Sequence, residues 1–212
     1  MSKRFAWFYL VFLAILWVTH PVFAENATYN IDVDHTSVSF KIRHVLSNVV
    51  GQFKQFEGTF VYDPQKPEAW KAMAVIQAAS IDTNVAPRDK HLRSPDFFDV
   101  EKYPTITFKS TKVTEVTPES AKLEGLLTIH GVEKLAVLDL EIHGVAKDTW
   151  GNVRAAFTAT TKINRKDFSL TWNQAIEAGK FLVGDEVIIT LEVEGLLKED
   201  AAEASAKAGS KQ

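Results

Sequence analysis

The stretch AKLEGLLTIHGVEKLAVLDLEIHGV, residues 121–145, decides the fold, because apolar and polar side chains alternate along most of it. Alternation with a period of two is typical of a β-strand that turns one face to a core and the other to solvent. A turn centred on Val132-Glu133 would pair two such strands in antiparallel register. One face then carries Leu123, Gly125, Leu127, Ile129, Ala136, Leu138, Leu140 and Ile142, and the other is polar apart from Leu126, Leu135 and Val137. This sorting predicts a β-hairpin.

The same pattern extends outward on both sides of the hairpin. A turn centred on Thr149-Trp150 would continue the inner face with Val153, Ala155, Phe157, Ala159 and Ile163, and a last strand adds Val187, Ile189, Leu191 and Val193. Further strands are predicted around Val38–Phe40–Ile42 and at 28–33, 52–62, 72–79 and 105–113, besides 121–130, 134–145, 152–163 and 185–195. Short helices are predicted at 87–93 and 172–179. Many strands with short connections indicate an antiparallel sandwich or barrel.

The inner face leaves open whether such a barrel is hollow. About eight strands make a barrel just wide enough to fill with side chains or to hold one small ligand. Gly125, Ala136, Ala155 and Ala159 stand among large apolar residues, which favours room inside. Small and large side chains also interdigitate in a solid core, so both interpretations stand at this point.

The first 24 residues have the pattern of a secretory signal peptide. Lys3 and Arg4 precede an apolar run at 5–18, and Val22-Phe23-Ala24 has the form of a cleavage site. The apolar run is shorter than the roughly 20 residues of a membrane-spanning helix. We therefore predict cleavage after Ala24 and a periplasmic or secreted protein.

The remainder is predicted to be one domain at 25–198 and a disordered tail at 199–212. The tail has no large apolar side chain to offset the entropy of ordering. Cleavage after Ala24 leaves 22 basic and 27 acidic side chains, a net charge of −5, which disfavours a nucleic-acid partner. The chain has no cysteine, which excludes disulfides and a thiol nucleophile.

No compact catalytic or metal motif is present. Five histidines remain after the signal peptide, and no two lie three to five residues apart, as close-spaced zinc ligands do. Neither Gly-x-Ser-x-Gly nor a phosphate-binding glycine loop occurs. We therefore predict no catalytic residues, no metal and no cofactor. An envelope enzyme that uses His91 or His44 as an acid or base on a lipid head group is kept as an alternative.

Residues 88–99, RDKHLRSPDFFD, form the most unusual segment of the chain. In one interpretation this segment is a polar collar at a barrel mouth, where a head group would meet the candidate mouth residues Arg88, His91, Arg93 and Asp96. In the other, it is a lid whose charges pair internally, Arg88 with Asp89, Asp96 or Asp99, while Phe97-Phe98 closes the barrel. Most charge clusters are solvated structure, which favours the lid.

Several segments together resemble one known family, the YceI-like proteins. The matching segments are HTSVSF at 35–40, His44, GQF at 51–53, FEG at 56–58, SIDT at 80–83, the block at 88–104, GLLTIHGV at 125–132, INRKDF at 163–168 and VGDEV at 183–187. The resemblance runs from about residue 29 to 193. Ser169 stands where the family often has glycine, and Glu133 and Leu135 stand where Thr and Pro are frequent, so the departures touch turns and edges.

The resemblance implies a mainly β fold, an elongated antiparallel eight-stranded lipocalin-like β-barrel with one or two short helices and a hydrophobic tunnel. It also implies that the barrel binds, stores or transports a long-chain isoprenoid or similar amphiphilic lipid, with an isoprenoid quinone as one candidate. A membrane protein is a further candidate partner, and a solid-barrel interaction module is the remaining alternative. By face, the candidate wall residues are Phe40, Ile42, Phe53, Phe60, Phe108, Leu127, Leu138, Phe157, Trp172 and Ile189.

Overall fold

The computed structural model describes residues 27–176 and 181–198, and the predicted signal peptide and C-terminal tail lie outside these residues. The strands are β1 Thr28–Ile31, β2 Ser37–His44, β3 Ser47–Phe53, β4 Phe56–Val61, β5 Lys71–Gln77, β6 Ile81–Asp82, β7 Thr105–Thr114, β8 Ser120–Ile129, β9 Val132–Lys147, β10 Val153–Asn164 and β11 Val183–Leu197. The α-helix α1 spans Ala86–Arg93, and 3-10 helices span Pro67–Ala69, Ala78–Ser80 and Arg165–Phe168. In this described part, no helix is long and apolar enough to cross a membrane.

The sheet closes on itself as an eight-stranded antiparallel barrel, as predicted. Its order is β1-β4-β5-β7-β8-β9-β10-β11, and β11 returns to β1 through pairs such as Tyr29 with Leu197. Along the barrel axis, β2 continues β1, β3 continues β4 and β6 continues β5. The pairings show this, because β2 pairs with the first part of β11 and with β3, and β3 pairs with β6. Three of the eight wall positions are therefore strands broken in two.

The predicted strand at 52–62 is divided at one of these breaks, between β3 and β4. The amide of Lys54 donates to the carbonyl of Ser80, and the amide of Gln55 donates to the Ser80 hydroxyl. These two amides therefore form hydrogen bonds with the 3-10 helix at Ala78–Ser80 instead of with a neighbouring strand. The alternation of apolar residues resumes after the break, so the sequence pattern alone does not show it.

The β8–β9 hairpin forms with a different turn from the one predicted. His130 and Gly131 have positive φ angles of 52° and 74°, which suits a tight two-residue hairpin turn. Leu123 consequently pairs with Leu138, not with Ile142. The shift is an even number of residues, so each side chain keeps its predicted face. Glycine is required at 131 for two reasons: the positive φ angle, and the ring of Tyr103, which would lie 2.5 Å from a Cβ there.

The β9–β10 pairing contains a bulge that the sequence pattern did not reveal. Ala156 pairs with Gly144 and Phe157 pairs with Ile142, so His143 is the extra residue on β9. Gly144 has a φ of +99°, as bulges often require. Beyond the bulge the pairing follows the predicted turn centre at Thr149-Trp150.

Both ends of the barrel are covered by segments outside the sheet. Helix α1 lies at the end where β2 meets β3 and where β8 meets β9, and it confirms the prediction at 87–93. The helix predicted at 172–179 does not form over residues 172–176, and the rest of that range lies outside the described residues. The side-chain amide of Asn173 instead donates to the carbonyl of Val183 at 2.7 Å, which holds this segment against the start of β11.

Candidate functional site

The barrel encloses a cavity of about 580 Å³. This volume lies within the roughly 300–1,000 Å³ typical of sites for small molecules. The cavity argues against the solid-barrel alternative, because the space between the walls is not filled by side chains. All ten predicted wall residues lie on it: Phe40, Ile42, Phe53, Phe60, Phe108, Leu127, Leu138, Phe157, Trp172 and Ile189. Their contact with a ligand remains a prediction.

Small wall residues were expected to leave empty space over the inner face of the barrel, but over three glycines this space is filled by an aromatic ring. A Cβ on Gly51, Gly125 or Gly195 would lie 2.3 or 2.4 Å from an aromatic ring. The three pairs are Phe40 over Gly51, Phe108 over Gly125 and Phe60 over Gly195. Each ring therefore lies against the wall, in the space that a side chain would take. Contacts of this kind hold the three rings at the edge of the cavity.

The barrel end opposite α1 is closed by an aromatic cluster, which we call the plug. The rings of Tyr29 and Phe60 stack at 5.0 Å, and Phe157 contacts both Phe60 and Tyr62 edge-on. Trp70 packs on Tyr62 at 4.7 Å. All five side chains are buried. Burial raises the pKa of the Tyr29 and Tyr62 hydroxyls. The plug closes this end by direct packing of aromatic rings.

The α1 end is held by arginine side chains bonded to backbone carbonyls. Arg88 donates to the hydroxyl of Thr83 at 2.7 Å and to its carbonyl at 2.8 Å. Arg93 donates to the carbonyls of Ala79 and Ile81, both at 2.6 Å. These carbonyls lie around the break between β5 and β6, where strand pairing is interrupted. The expected pairing of Arg88 with a neighbouring acid is therefore wrong, since the hydroxyl and the carbonyl of Thr83 take its donors.

Asp89 has a structural role in the same turn. Its carboxylate accepts hydrogen bonds from the Thr83 amide at 2.9 Å and the Thr83 hydroxyl at 2.5 Å. This carboxylate is buried, which is unusual for an acid unless it is hydrogen-bonded. The turn between β6 and α1 is thus fixed by Asp89 from one side and by Arg88 from the other.

An aromatic cap lies over the cavity at the α1 end. The ring of His91 meets Phe97 at 5.0 Å and Trp172 at 4.9 Å, and its Nε2 lies 2.8 Å from a carboxylate oxygen of Asp96. His91 and Asp96 are exposed, in contrast to the residues of the plug. Two of the four predicted mouth residues, Arg88 and His91, lie on the cavity wall. Among the described residues that form this wall, Arg93 and Asp96 are absent.

Arg165, which sequence reasoning did not single out, is the most buried charge at this end. Its guanidinium donates to the carbonyls of Gly184 at 2.8 Å, Leu170 at 2.5 Å and Trp172 at 2.8 Å, and it lies 3.3 Å from Asp185. The side chain is only 3% exposed. Burial lowers the pKa of Arg165 from its usual range, although the Asp185 carboxylate opposes the shift. Arg165 therefore positions the chain that carries Trp172 over the cavity.

Thr161 is a polar side chain deep in the apolar cavity. It lies on the inner face of β10, is 9% exposed and lines the cavity. Its hydroxyl has no hydrogen-bond partner within the part of the chain that the structure describes. A single hydroxyl holds a water poorly, because a buried water needs two to four polar partners. This hydroxyl is available to a ligand.

A charged cluster on the outside of the barrel joins its first and last strands. Arg154 donates to Asp32 at 2.7 Å, to Asp148 at 3.0 Å and to Glu194. Burial opposes ionisation of Asp32 and Asp148, but hydrogen bonds from Arg154 and neighbouring groups outweigh it and lower the pKa of both carboxyls. Asp32 and Glu194 also come close enough to His35 to suit a metal ion. The Arg154 guanidinium already supplies the cation there.

A closed antiparallel barrel around an apolar cavity defines the class of lipocalin-like barrels, and this chain is one of them. The family model of the YceI-like domain matches residues 29–195. The chain therefore belongs to the YceI-like family.

Relatives of known sequence and structure agree with this family. The chain is 39% identical over 184 residues to a UPF0312 protein of Vibrio cholerae. The matched region covers 85% of this chain and 93% of that protein. A YCEI protein of Campylobacter jejuni has a TM-score of 0.65 at 38% identity, over 74% of this chain and 90% of that one. A polyisoprenoid binding domain from Saccharophagus degradans has a TM-score of 0.60 at 15% identity, over 82% of this chain and all of that one, and it shows the fold alone.

Proposed function

We propose that this protein is a carrier that encloses the chain of a long isoprenoid or similar amphiphilic lipid inside its barrel. The observation that carries the proposal is the apolar cavity of about 580 Å³, closed at one end by the plug. Each CH₂ group that leaves water for such a cavity contributes roughly 0.8 kcal/mol, so a long chain gains much by entering.

The ligand class follows from the same walls. The Saccharophagus degradans domain of the same fold is described as polyisoprenoid binding, which agrees with a long apolar guest. Thr161 offers one hydrogen bond within the cavity, so a chain that carries an oxygen suits it better than a pure hydrocarbon. An isoprenoid quinone meets both conditions and is our specific candidate.

The location is part of the proposal. The predicted signal peptide supports a location in the periplasm or outside the cell, where an apolar chain can move between membranes only if it is shielded from water. Transport suits this setting better than storage. Fractionation of cells that express the full chain, with the signal residues Lys3 and Arg4 replaced in a control, tests the location.

The decisive experiment is extraction of the purified protein with organic solvent followed by mass spectrometry. We expect an isoprenoid or other long-chain lipid in about one copy per barrel. The matched variants are Ala159→Phe, which fills the cavity from β10, and Thr160→Phe on the opposite face of the same strand. Ala159→Phe should lose the lipid and Thr160→Phe should retain it. Folded wild-type protein that is always empty and has no affinity for long-chain isoprenoids would contradict the carrier function.

The enzyme alternative is tested on His91. In the carrier, His91→Ala should loosen the aromatic cap and speed lipid exchange while leaving the bound lipid chemically the same. A chemically altered lipid that appears only when His91 is present would favour the enzyme instead.

A further inference from the structure

Two large apolar side chains stand in water at the tip of the β2–β3 hairpin. Leu46 is 83% exposed and Val45 is 40% exposed. The Val45 amide donates to the Leu182 carbonyl at 3.0 Å, which brings the neighbouring Phe181, 62% exposed, to the same place. We call Val45, Leu46 and Phe181 the apolar rim.

The backbone at the tip shows that this rim is not favoured by folding. Val45 has a φ of 48°, in the left-handed region where a β-branched residue is strained. Two-residue hairpin turns with positive φ prefer Gly, Asn or Asp. A valine there therefore adds local backbone strain. An apolar pair at this tip therefore lowers stability in water and has its use elsewhere.

The rim borders the cavity. His44 and Leu182, which adjoin rim residues in sequence, line the cavity wall from inside, and so does Val49, three residues after Leu46. The tip also extends past the body of the sheet, because β3 pairs with β6 only at Gln52 and Phe53. The exposed apolar side chains of the rim thus lie next to residues of the cavity wall.

We propose that the apolar rim inserts into the surface of a lipid bilayer, so that a lipid chain passes between bilayer and cavity without crossing water. The inference rests on the carrier function proposed above. A bilayer is the occupant that fits, because the rim lies next to the wall that would hold the lipid. Exposed Leu and Phe side chains are typical of segments that settle at the membrane interface.

A stable protein partner fits less well. Three side chains bury far less than the roughly 1,200 Å² of total surface that a specific protein interface needs. The charges at the base of the hairpin are mixed, with Lys41 and Arg43 facing Asp185 and Glu186. Membrane binding should therefore depend on apolar insertion and vary little with salt, unlike binding through a basic patch.

The test is flotation of the mature protein with phosphatidylcholine vesicles. Leu46→Ser should weaken vesicle binding about tenfold, the loss expected when one buried Leu side chain is removed. Trp150→Ser is the matched control, because Trp150 is also 83% exposed but lies in the β9–β10 turn at the opposite end. This control should bind vesicles as the wild type does. Val45→Asn should bind vesicles less and yet be at least as stable, since Asn tolerates a positive φ.

Farnesol, a short isoprenoid alcohol that needs no vesicle, separates the two proposals. Leu46→Ser should bind farnesol as the wild type does and should exchange lipid with vesicles several-fold more slowly. Wild-type protein that binds farnesol but not vesicles overturns the rim proposal alone, and failure to bind farnesol counts against the carrier function. Equal vesicle binding by Leu46→Ser and wild type, or a change in oligomeric state on this substitution, also overturns the rim proposal.

Discussion

The two ends of the barrel are closed by different kinds of interaction. At one end, five buried aromatic side chains of the plug pack directly on one another. At the other, His91 and Trp172 of the aromatic cap are more exposed, although Phe97 between them is buried, and arginines bonded to carbonyls hold the chain around the cap. Close packing is lost all at once when it opens, whereas a few exposed contacts can open and close. The difference favours the α1 end as the entrance for the proposed ligand.

The largest expected effect separates these ends by stability. Phe157→Ala removes the ring that joins Phe60 to Tyr62 and should lower the free energy of unfolding by about 3–5 kcal/mol. Trp172→Ala, in the partly exposed cap, should lower it less and should raise the rate of ligand release. Urea unfolding followed by circular dichroism measures the first quantity, and dilution of a loaded fluorescent lipid measures the second. A larger loss at Trp172 would reverse the assignment of the ends.

A second substitution tests whether the rings along the wall keep the cavity open. Gly125→Ala places a Cβ 2.4 Å from the ring of Phe108 and should move that ring into the cavity. We expect a loss of about 1–3 kcal/mol in stability and weaker binding of long-chain lipids. The second change Phe108→Leu, made in the Gly125→Ala protein, should restore part of both, because the new Cβ also lies 2.7 Å from the Lys109 carbonyl oxygen, which this change leaves in place. Binding is measured by displacement of a fluorescent fatty chain, and no rescue would contradict the proposed contact.

Thr161, on the cavity wall between the two ends, tests whether a polar group inside the barrel selects the ligand. Thr161→Val removes an unpaired hydroxyl without changing the shape of the side chain, so the empty protein should gain about 1 kcal/mol in stability. Its affinity for farnesol should fall relative to its affinity for a hydrocarbon of equal length. Thr161→Ser, which keeps the hydroxyl, is the control for ligand preference. If the preference for farnesol is the same with valine at 161, the hydroxyl does not contact the ligand.

The smallest effect concerns acid and the charged cluster outside the plug end. The folded pKa of Asp32 and of Asp148 lies below the unfolded value of about 4, so the stability from these carboxylates is complete above that value. It is lost as the pH falls from about 4 toward the lower folded pKa values. Asp148→Asn should make unfolding less dependent on pH in this window than the control Asp139→Asn, an exposed carboxylate. Thermal melts between pH 2 and 6 measure the slopes, and equal slopes would contradict the role of Asp148.

Much of the fold could be predicted because the barrel wall has a period of two. A one-residue error in register would place Leu123 and Leu138 in solvent, and a four-residue error does not. The wrong turn centre at Val132-Glu133 therefore left the inner face intact. The strand breaks around Lys54 and Ser80 could not be predicted, since they arise from hydrogen bonds between segments far apart in sequence.

The candidate site divides in the same way. Phe40, Phe108 and Phe157 were found on the cavity wall because parity alone assigns a strand residue to a face. Arg165 was missed, because it stands in a polar run and only the fold surrounds it with carbonyls. Thr161 has the same parity as its apolar neighbours, and that signal could have placed it in the cavity. The exposed tip at Leu46 gives no periodic signal.

By itself, the sequence determined which side chains face inward and the absence of cysteine chemistry, because these depend on local alternation and composition. Only the tertiary structure decided that the interior is hollow, that rings lie over glycines at its edge and that one end is plugged and the other capped. Volume and burial depend on which distant strands become neighbours, and barrel closure sets that for every side chain at once.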